Sequence, residues 1–255
     1  MKDRLDRSGP AAGPIYALGR IAFTVTSSDA AFERQLARLL PRPRAAPDTI
    51  HAFSVESDVR AVIREVLAFH RDCRWIHAAC LRSPEGRTVL LAGRSGAGKS
   101  TTALALALGF GWKVLADDLT LIDPATNAIV ALATPFSLKG PAPALLHEAI
   151  GTAPGPLVLG EWFRIDELYA AEECQAAFDL LVHLGWDSRS HGFAHSPCSA
   201  AEYTRLLLPS SSMLHDAGGP DGFAEAVGSG ACHWVMGGNV SERLNLVLEL
   251  NRQAR

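Results

Sequence analysis

The apolar positions of residues 15–72 alternate between extended and helical spacing. Residues 15–26 read as a strand, with Ile21, Phe23, Val25 and Thr26 supplying the β-branched and aromatic side chains that suit a pleated surface. Ser27-Ser28-Asp29 offers N-caps for a helix over 30–40, whose Phe32, Leu36, Leu39 and Leu40 fall on one side. Pro41, Pro43 and Pro47 break that pattern. A short strand follows over 50–55. Ser57 or Asp58 then caps a second helix running to about residue 72, with Val59, Val62, Val66 and Phe69 inward. Residues 1–73 therefore predict a small α+β appendage. Residues 1–14 carry Ser, Gly and Pro without periodicity and read as a frayed leader.

From Trp75 the texture changes. Residues 76–81 and 88–92 are apolar runs joined by a short turn, Arg82-Ser83-Pro84-Glu85-Gly86-Arg87. Strands joined by so tight a turn are antiparallel neighbours. A helix over 101–110 follows, ending at Gly109 or Gly111, and then a strand over 113–116 that stops at Asp117-Asp118. A hairpin is predicted from 119–122 and 128–133, a short helix near 143–150, and strands within 157–165 and over 178–186. Residues 187–199 read as a polar loop, 200–208 and 222–227 as helices, 232–236 as a strand, and 241–255 as a closing helix with Leu244, Leu246, Val247 and Leu250 inward. Residues 74–255 thus form one mixed-sheet α/β domain.

The second and third segments of that domain frame Gly93-Arg94-Ser95-Gly96-Ala97-Gly98-Lys99-Ser100-Thr101. The stretch fits G-x-x-x-x-G-K-[ST], the Walker A pattern, between a buried strand and a helix. Glycines let successive N–H groups turn inward on phosphate oxygens, and the helix N-terminus adds its positive end. In such a P-loop Lys99 reaches the β- and γ-phosphates of ATP, and the Ser100 hydroxyl binds Mg²⁺. A plain Gly-rich turn explains the composition but not the strand–loop–helix context.

Composition narrows the class. The net charge of −3 and the lack of a basic stripe give no reason to expect nucleic acid. No apolar run is long enough for a membrane span, and no apolar segment follows the charged N-terminus, so a cytoplasmic location is the expectation. The five cysteines are odd in number, widely spaced and without a C-x-x-C, which favours thiols over disulfides. Lysine is scarce, occurring at positions 2, 99, 113 and 139.

Asp117-Asp118 closes a strand soon after the P-loop helix. If the chain turns there, both carboxylates can face one cavity, one holding Mg²⁺ and the other accepting a proton from a hydroxyl. Alone, the pair would read as a turn cap. With His77-Ala78-Ala79, the hairpin and the P-loop, it resembles the catalytic domain of the HPr kinase/phosphorylase family, and more distantly phosphoenolpyruvate carboxykinase. The resemblance covers about residues 75–140. It implies a P-loop kinase core with a mixed sheet, ATP and Mg²⁺, and a serine hydroxyl as acceptor. It assigns Asp117 as base and Asp118 to the metal side, a division that can also run in reverse. Relatives that act on HPr have an acidic residue where this chain has Arg94, and Gly151-Thr152-Ala153-Pro154-Gly155 does not match their Gly-rich signature. The nearest likeness is to stand-alone HPr-kinase-like proteins of bacterial biosynthetic clusters, including those for lasso peptides.

Other residues carry open readings. His77 is expected beside the phosphates or the acceptor, and a half-buried, hydrogen-bonded histidine fits its position equally well. Lys139 could clamp a phosphate or sit in solvent. His191, His195 and Cys198 have a zinc-like spacing, but Gly192 and Pro197 deny them a helix and no fourth ligand is near. The sequence thus points to a kinase of hydroxyl groups, with a peptide or small protein as partner. A metabolite kinase and an ATP-sensing module are the alternatives. The acceptor's identity, a reverse reaction and homo-oligomerisation stay open.

Overall fold

The computed structural model describes residues 13–151, 162–170, 178–185, 192–212 and 230–254, together with Asp221 and Ala224. Its contacts divide the chain into Met1–Arg71 and Asp72–Arg255.

In the first unit β1 (Ile15–Leu18) and β2 (Ile21–Thr26) form a hairpin rather than the single strand predicted over 15–26. Gly19 has φ +59°, which lets the chain reverse between Leu18 and Ile21. Helix α1 (Ala30–Leu39) starts where Asp29 accepts a bond from Ala31 N, and carries the chain to β3 (Ile50–Ser54), parallel to β2. Helix α2 (Val59–Leu67) is capped by Asp58 and ends earlier than its apolar pattern predicts. Phe23 packs its ring 5.9 Å from Tyr16 and 5.4 Å from Phe53 in the core of this unit.

The second unit is built on a mixed six-stranded sheet. Its members are β5 (Ala78–Arg82), β6 (Thr88–Gly93), β7 (Lys113–Ala116), β12 (Leu180–Gly185), β13 (Ala194–Pro197) and β14 (Ala231–Met236), in the order β13-β14-β12-β6-β5-β7. The predicted hairpin is present: β5 pairs antiparallel with β6, from Ala78↔Ala92 to Arg82↔Thr88. On its other side β6 pairs parallel with β12. Three short antiparallel strands, β4 (Arg74–Ile76), β8 (Thr120–Ile122) and β9 (Ile129–Val130), form a second sheet. The segment predicted as one strand over 76–81 is therefore broken at His77, between β4 in one sheet and β5 in the other.

Helices α3 (Lys99–Phe110), α4 (Ala142–Ile150) and α6 (Val240–Gln253) share one core with the sheet, in which Leu104, Leu146 and Val247 meet Val89, Leu91 and Val182. Helix α5 (Ala200–Leu207) packs on β14 and β6. Helix α3 has buried residues around most of its circumference and stops at Gly111, whose φ of +71° and N–H bond to Leu106 O close the last turn.

Two further expectations change. The polar loop predicted over 187–199 contains β13, which pairs antiparallel with β14 although its side chains are exposed. Backbone pairing at a sheet edge needs no apolar pattern. Of the strand expected within 157–165, the described part is β11 (Trp162–Phe163), paired with β10 (Phe136–Ser137). The helix predicted over 222–227 lies outside the described residues, apart from Ala224. No helix among the described residues is long and apolar enough to cross a membrane.

Candidate active site

Strand β6 delivers Gly93 to the end of the sheet, and α3 begins six residues later at Lys99. Three glycines shape the turn, with φ of +139° at Gly93, +82° at Gly96 and +90° at Gly98. Gly93 also lies against β12: a Cβ there would come 2.2 Å from Leu184 O. The loop closes on itself through Ala97 N, which donates to Arg94 O at 3.1 Å, and Thr102 N, which donates to Gly98 O at 2.8 Å. Arg94, Ser95 and Gly96 are exposed at its rim, and Thr101 is buried in the first turn of α3.

The Lys99 side chain folds back over this turn. Its Nζ donates to Gly93 O at 2.8 Å and Arg94 O at 3.1 Å, and the residue is 6% exposed. Burial lowers its pKa, with Lys139 acting in the same direction and Asp118 and Asp117 against it. A buried ammonium beside a helix N-terminus is a setting for an anion.

Strand β7 ends at Ala116, and the two carboxylates follow at once. Asp117 is 4% exposed. The Ser100 side chain lies beside its carboxylate and acts to lower its pKa, while its Oδ1 is buried with no hydrogen-bond partner. Its backbone carbonyl accepts from Thr134 Oγ1 at 3.1 Å and from Leu119 N at 2.8 Å, which fixes the turn. Burial raises the Asp117 pKa to about 6, and the neighbouring Asp118 charge adds to the rise, against Ser100, the Asp118 backbone N–H and Lys99. An acidic oxygen left unpaired in a buried place, next to a serine hydroxyl, is a donor set for a hard divalent cation such as Mg²⁺.

Asp118 has φ +67°, a left-handed conformation uncommon for a residue with a Cβ. Its side chain is 79% exposed, with Oδ1 3.4 Å from His77 Nδ1. His77 occupies the break between β4 and β5, and its backbone N–H donates to Ser210 O at 2.7 Å. Burial and then Lys99 lower its pKa, with Asp118 acting in the opposite direction. Lys139 is exposed just after β10, near enough for its charge to be felt at both Lys99 and His77.

Residues 93–101, Asp117, Asp118 and His77 thus converge, with Lys139 at the periphery. Of the zinc-like trio, His195 lies on β13, Cys198 follows it and His191 is outside the described residues. Among the described residues no three His, Cys, Asp or Glu side chains group to hold a metal.

Two neighbours escape a reading of the sequence. His183 sits in β12 opposite Ala92 of β6, its pKa lowered by burial and by Lys99. Its one signal is its place near the C-terminal end of a strand, the end at which α/β sheets bind ligands. Arg243, in the first turn of α6, is 5% exposed. Its Nε donates to Gly237 O at 2.8 Å and its Nη1 donates to Ala97 O inside the glycine loop. The signal there is a cation in the first turn of a helix, where the dipole disfavours it.

No protein-family model and no curated protein matches the chain. Among solved structures, the Hpr(Ser) kinase/phosphatase from Coxiella burnetii is 13% identical, over 70% of this chain and 94% of that chain, with a TM-score of 0.32. That score falls short of a shared fold, and the site rests on its own geometry.

Proposed function

We propose that the protein is a phosphotransferase that moves the γ-phosphoryl group of Mg-ATP to a hydroxyl. One observation carries the reading: the three-glycine turn at the start of α3 holds a buried Lys99 and places Ser100 on the buried carboxylate of Asp117. A glycine turn alone is common, but this triad joins phosphate donors to a cation site.

The roles follow from burial. Lys99 and the loop N–H groups hold the phosphates. Ser100 and Asp117 hold Mg²⁺, which when bound neutralises charge on the phosphate oxygens. Asp118, exposed and beside His77, receives the acceptor hydroxyl and takes its proton, while His77 orients the carboxylate. This exchanges the duties that the family resemblance gives the two aspartates. A buried carboxylate beside the loop serine is badly placed for an incoming hydroxyl, and an exposed one is well placed. Catalysis is then chiefly positioning and charge stabilisation.

The acceptor class is proposed as a serine or threonine hydroxyl of a peptide or small protein, on the sequence resemblance of residues 75–140. The test is transfer of labelled γ-phosphate from ATP to serine- and threonine-containing peptides, with small polyols as a parallel acceptor set. Transfer to peptides alone supports the full reading, and transfer to the small hydroxyl compounds makes it a metabolite kinase. ATP binding with transfer to neither leaves a nucleotide-sensing module and removes the enzyme.

A further inference from the structure

Arg243 departs from what local rules favour. It stands in the first turn of α6, where the helix dipole repels a cation, and it is nearly fully buried. Burial holds its pKa down, with the Glu242 charge opposing, yet a guanidinium stays charged under all ordinary conditions. Residues that break local rules at a desolvation cost tend to sit where function needs them.

Its partners show the need. One end of the guanidinium holds Gly237 O, in a turn where Gly237 and Gly238 both take positive φ and Asn239 then caps α6. The other end holds Ala97 O, at the crest of the loop that precedes α3. The arginine thus ties the start of α6 to the loop across 146 residues of sequence. Its approach is close enough that a Cβ at Gly98 would lie 2.9 Å from Nη1. Gly98 is therefore required twice, by its φ and by this side chain.

The bond to Ala97 O has a directional consequence. In a planar trans peptide the C=O and N–H point opposite ways. Drawing Ala97 O towards α6 turns the Gly98 N–H away from α6, and the guanidinium sets a fixed positive charge behind the loop.

We propose that Arg243 is a positioning residue of the phosphate-binding loop: it orients the Ala97–Gly98 peptide so that the Gly98 N–H donates to a polyphosphate. The proposal rests on the phosphate-loop reading given above and adds to it the part played by the C-terminal helix.

The test compares equilibrium binding of Mg-ATP and of Mg-tripolyphosphate, which has no base or sugar, to wild type, Arg243→Ala, Arg243→Lys and Leu250→Ala. Leu250 is buried in the same helix, away from the loop's hydrogen bonds, and controls for loss of α6 packing. Arg243→Ala is expected to weaken both probes by the same factor, about 10- to 100-fold, as for a lost charged hydrogen bond. Arg243→Lys recovers part of that loss and serves alone if the alanine variant does not fold. Leu250→Ala lowers the melting temperature and leaves both affinities within about twofold of wild type. Guanidinium ion added to Arg243→Ala restores binding in part. The proposal is overturned if the arginine variants bind both probes as wild type does, or if Leu250→Ala loses as much affinity as Arg243→Ala. If wild type itself binds neither probe, the phosphate-loop reading fails first and this proposal with it.

Discussion

Asp117 and Asp118 are chain neighbours in opposite environments: Asp117 is 4% exposed and lies beside Ser100, while the Asp118 side chain is 79% exposed and 3.4 Å from His77. Successive side chains of a strand point to opposite faces, and the two carboxylates keep that separation where β7 ends and Asp118 turns left-handed.

Their substitution should separate two functions. Asp118→Asn is expected to keep Mg-ATP affinity and to lower transfer about 10²- to 10⁴-fold, the range for a lost general base. Asp117→Asn should weaken binding of Mg-ATP while leaving metal-free nucleotide binding near wild type. Calorimetric titration with and without Mg²⁺, beside single-turnover transfer, distinguishes the pair. Full activity in Asp118→Asn would remove it as the base.

Asp117 also predicts a pH dependence of stability. Its folded-state pKa of about 6 lies above the ordinary 3.8, so folding favours the protonated form. The metal-free protein therefore bears no penalty from this group below about pH 4, acquires it as pH rises from 4 to 6, and carries all of it above. The shift corresponds to a penalty on the order of 3 kcal/mol at neutral pH. Asp117→Asn should accordingly melt higher than wild type at pH 7.5 without metal, and the gap should close towards pH 4. Thermal melts at a series of pH values check this; equal melting at pH 7.5 would refute it.

Lys99→Ala removes the ammonium that holds Gly93 O and Arg94 O. Both nucleotide affinity and transfer rate should fall, each by about tenfold or more, since a charged hydrogen-bond donor is lost. Unchanged affinity by fluorescence titration would show that Lys99 does not meet the nucleotide.

The loop glycines should not be equivalent. Gly93→Ala places a methyl 2.2 Å from Leu184 O, on an unfavourable backbone besides, and is expected to cost about 3 kcal/mol or more. Gly96→Ala meets nothing within 4 Å, so its cost is the positive φ alone, about 1–2 kcal/mol. Urea denaturation of the two variants measures the difference, and equal losses would contradict it.

Much of this arrangement was legible in the chain. The hairpin before the loop follows from two apolar runs and a turn too short for a crossover. The helix after it follows from Gly111 and the apolar run before it. What hid from the sequence was long-range. The break at His77 needs β4 to join another sheet, and nothing in Ile76-His77-Ala78 announces that. Arg243 reaches Ala97 from the far end of the chain, and a single basic residue at a helix start gives no sign of its partner. The unequal burial of Asp117 and Asp118 depends on which face of the sheet the packed helices cover, and the Asp-Asp pair itself does not say which. The β13 edge strand was lost because exposed polar side chains mask a paired backbone.

The break at His77 has a bearing on how such a molecule can diversify. Gly93, Lys99 and Ser100 come from one continuous strand–loop–helix unit locked into the core. His77, Asp118 and the Ser210 carbonyl come from separate connecting segments that meet outside it. On the proposed function, inheritance can therefore act on the two halves at different rates: the connecting segments that would meet the acceptor can drift and lengthen while the strand–loop–helix unit stays fixed.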